Sequence, residues 1–363
     1  NYITMAVDRD GYLHVSGNMH CVPMIYFRTE RPGDVTTLKR CRMTGRNEER
    51  CTYPKFMRDA DDRLVFHYRD GGSGRGNEIY NVYDLETKRW RRLLDRPLTD
   101  GQERMNAYMA GPTRGPDGWF HMHWVWRDTP DCATNHHLSY ARSKDLLRWE
   151  SVFGDRIQLP ITLDKESLWV DPIPSGGGII NGGHRLFFDA EDRPVITYHK
   201  SDEQGYMQVY AARPEGGAWR RRALTDWEKS VTFSGHGSMG FIGIRIGPLR
   251  RAEPENQLWI AYEATALRML GDARYETLVD MDRFVRVHEL PVPKGFDSLA
   301  EFNSAFLTAL DRFHRYSRHP LDQTFRHGSQ TPRELSRAQD PVIDAYFDAL
   351  DTPIRDYMSA VGN

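Results

Sequence analysis

The chain has almost no excess of either charge. Its 49 Lys and Arg nearly balance 51 Asp and Glu, leaving a net charge of −2. That balance supplies no field to hold nucleic acid or an anionic membrane. No apolar run reaches the roughly 20 residues that a membrane-spanning helix needs. Basic residues cluster only briefly, at Arg220-Arg221-Arg222, which reads as a solvated edge. Cysteine is scarce. Cys21, Cys41, Cys51 and Cys132 form no Cys-x-x-Cys pair, so neither a zinc ribbon nor a dithiol redox motif is indicated. Cys132 and His136 have half of a metal-site spacing, and burial of the thiol as a small hydrophobe is the preferred reading. The chain starts at Asn1 inside the strand-like stretch Tyr2-Ile3-Thr4-Met5-Ala6-Val7. No signal peptide is visible there, and the start reads as an N-terminal truncation.

What is present is a repeat. Asp/Gly-rich turns fall near residues 8, 59, 117 and 189, and more weakly near 255. Each lies between two strand-like stretches, such as the alternating Phe120-His121-Met122-His123-Trp124-Val125-Trp126. A long, irregular repeat of short strands points to a propeller or array. Ser143-Lys144-Asp145-Leu146-Leu147-Arg148-Trp149 resembles the Ser-x-Asp-x3-Trp turn of bacterial-neuraminidase-type repeats, which implies that Asp145 caps the loop and Trp149 packs between blades. Trp90 and Trp219 stand at similar places, and blade packing is expected for all three.

The pattern changes after about residue 264. Leu299, Phe302, Phe306, Leu307 and Leu310 recur at helical spacing, with Asp297-Ser298 and Glu301 placed to cap the helix. Val342 to Tyr357 is a second amphipathic segment, which Pro353 is expected to interrupt.

In an antiparallel hairpin the start of the first strand and the end of the second share one edge. Tyr53 is therefore expected near Arg69, and Asn106 near Arg127. If the hairpins are radial, Asn1, His20, Tyr53, Arg69, Asn106, Tyr108, Arg127, Asn181, His199 and Lys200 converge on one face. An arginine fork binds carboxylates, histidine exchanges protons near neutrality, and a tyrosine beside a guanidinium can serve as acid or base. The set lacks the carboxylate pair that glycoside hydrolysis normally needs. It suits β-elimination on a uronic acid, in which the developing negative charge is stabilised by Arg and His. His121-x-His123 lacks a clear third metal ligand. Gly71-Gly72-Ser73-Gly74-Arg75-Gly76 does not open a helix, so it reads as a tight loop shaping the cleft and not as a phosphate loop.

Particular stretches carry a resemblance. They are Asp-Arg-Asp-Gly-Tyr-Leu-His-Val-Ser-Gly-Asn-Met-His (8–20), Thr-Tyr-Pro-Lys-Phe (52–56), Tyr-Arg-Asp-Gly-Gly-Ser-Gly (68–74), Trp-Arg-Asp-Thr-Pro-Asp (126–131) and Tyr-His-Lys (198–200). With them, residues 1 to about 262 resemble the BNR-repeat propellers related to ulvan lyases, polysaccharide lyase families 24 and 25, and rhamnosyl-glucuronate lyases. The resemblance implies an all-β fold: a β-propeller of four-stranded blades, seven in the family and incomplete here. It also implies secretion or a periplasmic location. His20, Tyr53 and Arg69 match the catalytic histidine, tyrosine and arginine of the family, whose first histidine would lie immediately before Asn1. Asn18, Asn106, Tyr108, Arg127, His199 and Lys200 are the expected substrate-binding residues.

The remainder, 265–363, is expected to be mainly α-helical. Its motifs Ala266-Leu267-Arg268-Met269-Leu270-Gly271-Asp272, Phe302-Asn303, His319-Pro320-Leu321-Asp322-Gln323 and Gly328-Ser329-Gln330-Thr331 resemble the front of a 2-oxoglutarate/Fe(II) oxygenase. No His-x-Asp follows residue 265, so no iron site is inferred. The expected domains are thus 1–264 and 265–363. The expected partner is an anionic polysaccharide or oligosaccharide, with no nucleic acid or membrane. The elimination requires no cofactor, and the sequence leaves a structural metal open. The competing readings are a non-catalytic glycan-binding propeller, a glycoside hydrolase on the same fold, and a fragment of an oxygenase-family protein.

Overall fold

A computed structural model describes residues 3–237, 242, 244–252, 257–263, 285–313, 335 and 338–361. The chain divides into two compact units, Asn1–Asp272 and Ala273–Asn363. The expected boundary at 264/265, the turn near 255, the terminal Asn1 and the motifs at 266–272, 319–323 and 328–331 lie outside the described residues.

The first unit is built of antiparallel sheets in chain order. Sheet I pairs β1 (Thr4–Val7), β2 (Leu13–Ser16), β4 (Tyr26–Thr29) and β5 (Leu38–Arg40). Sheet II pairs β3 (His20–Val22), β6 (Cys51–Arg58), β7 (Leu64–Gly72), β8 (Arg75–Asp84) and β9 (Arg89–Arg92). Sheet III runs through β10 (Asn106–Arg114), β11 (Phe120–Arg127), β12 (Asn135–Ser143), β13 (Trp149–Glu150) and β14 (Arg156–Ile157), with β15 (Trp169–Asp171) also paired to β12. Sheet IV contains β16 (Arg185–Phe188), β17 (Pro194–Ser201), β18 (Met207–Glu215) and β19 (Ala218–Ala223). A last hairpin joins β20 (Arg245–Ala252) and β21 (Gln257–Glu263).

The repeated aspartate sets the hairpins. Asp8 Oδ1 accepts the N–H groups of Asp10 and Tyr12 at 3.0 and 2.9 Å. Asp59 does the same for Asp61 and Arg63 at 3.0 and 2.8 Å, and Asp189 for Glu191 and Arg193 at 3.1 and 2.9 Å. Three residues after each aspartate the backbone turns left-handed, with φ of 85° at Gly11, 60° at Asp62 and 58° at Asp192. Only Gly, Asp and Asn adopt that conformation readily, which is why the turns have this composition. Asp145 likewise accepts from Leu147 and Arg148 N–H at 2.9 and 2.8 Å.

Neighbouring sheets pack through their apolar faces. Tyr26, Phe66, Tyr83 and Trp90 fill the space between sheets I and II. Val82, Phe120, Trp124 and Trp149 fill the next layer. Leu138, Tyr140, Tyr198 and Trp219 fill the layer between sheets III and IV, and Val209, Trp227 and Ile246 the last. Trp90, Trp149 and Trp219 thus pack between sheets, as expected. Two buried histidines brace this scaffold: His14 lies between Asp8 and Tyr26 at 3.2 and 2.8 Å, and His121 between Asp117 and Tyr140. Both are held neutral, because burial pushes their pKa values down.

The second unit contains α1 (Leu299–Phe313) and α2 (Pro341–Val361). Ser298 Oγ accepts the Glu301 N–H at 3.2 Å, and Glu301 returns a bond to Asp297 N–H at 3.0 Å. Phe302 is buried, stacks on Phe306 and Tyr346, and leaves Leu307 64% exposed, off the packed face. Contrary to the expected break, α2 passes through Pro353; one proline removes one N–H bond, which a 21-residue helix tolerates.

Candidate active site

The hairpin register puts Asn106 directly opposite Arg127, Thr52 opposite Arg69, and His20 opposite Thr52. Between Thr52 and Lys55 the β6–β7 ladder slips, and Tyr53 occupies that slip with a φ of 55°. A left-handed non-glycine residue costs about 1–3 kcal/mol, and a bulge re-aims the side chain it carries. Tyr53 consequently swings over its neighbour: the Arg69 guanidinium carbon lies 4.9 Å from the Tyr53 ring centre and 5.2 Å from that of Tyr108. His20 meets Tyr53 edge-on at 5.8 Å. It is itself flanked by Asn18 and Cys21, with φ of 55° and 57°.

Arg69 is only 1% exposed. Its Nε donates to Gly71 O at 3.3 Å, while neither terminal nitrogen has a hydrogen-bond partner. No ion pair among the described residues includes it. Glu78, directly opposite on β8, turns its carboxylate to His67 Nδ1 at 3.6 Å. A buried cation held by two aromatic faces and no counter-charge is an anion-attracting centre.

The sheets support one another here. The β7–β8 turn, Ser73-Gly74, leans on sheet III: Tyr108 Oη donates to Ser73 Oγ at 2.8 Å, and Gly74 N–H donates to Asn106 Oδ1 at 2.6 Å. A Cβ at Gly74 would lie 2.6 Å from Thr129 Cα, so only glycine fits. Arg127 donates to Tyr108 Oη at 3.4 Å, to Asn181 Oδ1 at 3.2 Å, and to the carbonyls of Thr129, Pro130 and Asp131. These contacts fix its guanidinium.

The resulting cleft has a volume of about 530 Å³; Tyr53, Tyr108, Lys55, His67, Glu78, Asn181 and His184 are among its lining residues. Burial pushes the Lys55 ammonium toward its neutral form. Of the expected catalytic and substrate-binding residues, Tyr53 and Tyr108 line the cleft, while His20, Arg69, Asn18, Asn106, Arg127, His199 and Lys200 do not. His199 is buried, donates Nδ1–H to Gly178 O at 2.8 Å, and has its pKa lowered by burial to about 4. Lys200 projects from the other side of the strand, 2.7 Å from Asp171 and 4.8 Å above the Tyr210 ring. Asn18 is exposed beside His20. His136 and His137 pair with each other, and His136 bonds Asp128.

Sequence reading had not singled out Lys55, Glu78 or His184 for this cleft. Glu78 was recoverable, because a two-residue turn at Ser73-Gly74 fixes it opposite Arg69. His184 carried no such signal: it joins His123 through an Nδ1–Nδ1 contact of 2.7 Å between distant parts of the chain. Among the described residues no group of three or more His, Cys, Asp or Glu is placed to hold a metal ion. No described helix is long and apolar enough to cross a membrane.

Fold and site together define a repeat-built β-sheet protein with a tyrosine-lined cleft beside a buried arginine at one strand edge. The chain belongs to the BNR repeat-containing family, whose model matches residues 1–227. A 44-residue stretch is 43% identical to the long isoforms of ulvan lyase from Alteromonas sp. (strain LOR) and Pseudoalteromonas sp. (strain PLSV), covering 12% of this chain and 4% of each relative. In fold, the chain is similar to the crystal structure of polysaccharide lyase Uly1, with a TM-score of 0.51 and 17% identity over 73% of this chain and 66% of that one. The chain therefore spans under two thirds of these relatives' lengths.

Proposed function

We propose that this protein is a polysaccharide lyase that cleaves a uronate-containing glycan, of ulvan or rhamnosyl-glucuronate type, by β-elimination on a β-propeller scaffold. The observation that carries the reading is Arg69, buried without a counter-charge beneath two tyrosine rings that line the cleft. The cleft lining also includes one carboxylate, Glu78, where a glycosidase normally needs two flanking the scissile bond.

In this mechanism His20 accepts the C5 proton of the uronate. The electron pair left at C5 delocalises onto the carboxylate, whose charge Arg69 stabilises from a low-dielectric position. As the C4–O bond breaks, that pair forms the C4–C5 double bond, and Tyr53 protonates the departing oxygen. The products are a 4,5-unsaturated uronate and a new chain end. Tyr108, Arg127 and Asn18 position the sugar, with Asn106 holding the Ser73-Gly74 turn beside Tyr108.

The test is incubation with ulvan and with rhamnosyl-glucuronate glycans while following the absorbance of the unsaturated uronate. Growth of that absorbance is expected. Reducing ends without the chromophore would indicate hydrolysis, and binding without cleavage would indicate a glycan-binding module.

A further inference from the structure

Arg69 and Glu78 stand directly opposite each other on β7 and β8. Opposite residues of an antiparallel pair share one face, with Cβ atoms about 4.5–5.5 Å apart. Both are buried, Arg69 1% and Glu78 6% exposed. A guanidinium and a carboxylate so placed in a low-dielectric site attract strongly. Yet no ion pair joins them among the described residues. The two side chains lean apart along the strands. Arg69 leans toward the β7–β8 turn, where its Nε meets Gly71 O at 3.3 Å. Its stem crosses Gly76: a Cβ there would come within 2.9 Å of Arg69 Cγ and Cδ. Glu78 leans the other way, to His67 Nδ1 at 3.6 Å. The Glu78 backbone is pinned, its N–H on Thr99 O at 3.1 Å and its carbonyl accepting from Leu98 at 2.8 Å. The choice between His67 and Arg69 therefore falls to its side chain.

His67 is held in place for that contact. Its ring is buried and stacks on Tyr80, with 5.0 Å between centres and 10° between planes. His67 and Glu78 line the cleft together. Neither ring nitrogen of His67 has a hydrogen-bond partner, so no other acceptor competes with Glu78 for it. Lys55, opposite His67 on β6 and in the same lining, makes no ion pair with Glu78 among the described residues. We propose that His67 is a positioning residue that keeps the Glu78 carboxylate off Arg69 and leaves the guanidinium available to the anionic group the cleft receives. Glu78 is then a competitor built into the site. Without His67 its buried carboxylate has no partner, a costly state, and it turns back onto Arg69 and closes it. The inference rests on Arg69 as the carboxylate clamp of the proposed reaction, and it gives roles to two residues outside that reaction's steps.

The experiment uses the full chain with a uronate oligosaccharide of ulvan or rhamnosyl-glucuronate type, and the same oligosaccharide with its carboxylates reduced to alcohols. Affinity by calorimetry, KM and kcat are measured for His67→Phe, Glu78→Gln and the double variant, each beside a thermal melt. His67→Phe keeps a ring on Tyr80 and loses the hold on Glu78. It should weaken binding and raise KM about tenfold, with a smaller change in kcat and no change in affinity for the reduced ligand. Glu78→Gln should bind at least as tightly as the unmodified chain. The double variant should regain the affinity lost in His67→Phe, because a neutral amide does not seek Arg69 as a carboxylate does. Where Phe is not tolerated, His67→Ser, too short to reach Glu78, carries the same expectation. A double variant as weak as His67→Phe, unchanged affinity in His67→Phe, or weaker binding in Glu78→Gln would overturn the positioning role. Unsaturated uronate released with one KM by every variant would overturn it too, while keeping the lyase reading. Binding with the expected pattern but no unsaturated product would instead remove the lyase reading and leave the positioning role standing.

Discussion

Tyr53 and Arg69 meet face to cation, 4.9 Å from ring centre to guanidinium carbon, because the strand carrying Tyr53 slips its register there. The phenol is thereby held over a positive charge that no carboxylate neutralises among the described residues. Removing the hydroxyl while keeping the ring isolates its chemical role. Tyr53→Phe is expected to lower kcat by about a hundredfold or more, with substrate binding and melting temperature nearly unchanged. A Tyr53→Phe protein that released unsaturated uronate at the original rate would remove Tyr53 from the reaction.

Arg69 calls for a charge-retaining control. Arg69→Ala should abolish most turnover, on the order of 10²–10³ in kcat, and also destabilise the fold, since the side chain is buried. Arg69→Lys keeps the charge but loses the planar stack between Tyr53 and Tyr108. It should fold, bind more weakly and retain intermediate activity. Steady-state kinetics beside a thermal melt separates the two effects.

The buried histidines make stability depend on pH. Burial lowers the pKa of His123 to about 3 and of His199 to about 4, and moves His184 down as well. The unfolded chain protonates them near 6.5. Their neutral forms therefore favour folding fully above pH 6.5, and that contribution falls as pH drops from 6.5 toward 4. Each such histidine loses up to about 1.4 kcal/mol per pH unit in that window. Urea midpoints at pH 7.5 and 5 should differ clearly, and His199→Gln should reduce the difference. Equal midpoints would contradict the assignment.

The aspartate turns predict a scaffold effect without a site effect. Asp189→Ala removes the acceptor for two backbone N–H groups and for Arg193 Nε. A cost of about 1–3 kcal/mol is expected in the urea midpoint, with KM unchanged. Asp189→Asn, which keeps an oxygen acceptor, should recover part of the loss.

The hairpins were legible in the sequence because their turns are written in a small alphabet: an aspartate, then Gly or Asp where φ is positive. The nearness of Asn106 and Arg127 follows from counting residues around such a turn, but their direct opposition depends on the register shift between Ala110 and Thr113. The tryptophans were legible for the same reason, standing at one place in each repeat. The stack of Tyr53 on Arg69 was only half legible: proximity follows from the hairpin, but the bulge that turns the ring does not. Lys200 went to Asp171 because strand alternation sends it to the opposite face from His199, and neither side chain reached the cleft. The His123–His184 contact joins separate sheets, and no local pattern announces it.

Each hairpin has a closed end and an open end. Asp59 holds the closed end of the β6–β7 hairpin, while Tyr53 and Arg69 occupy the open one. Folding instructions and the proposed chemistry thus fall at opposite ends of the same pair of strands. A library randomised at open-end positions such as Asn18, Tyr108 and Asn181 would sample new glycan preferences while every aspartate turn stayed intact. On this scaffold a change of substrate need not pass through an unfolded intermediate sequence.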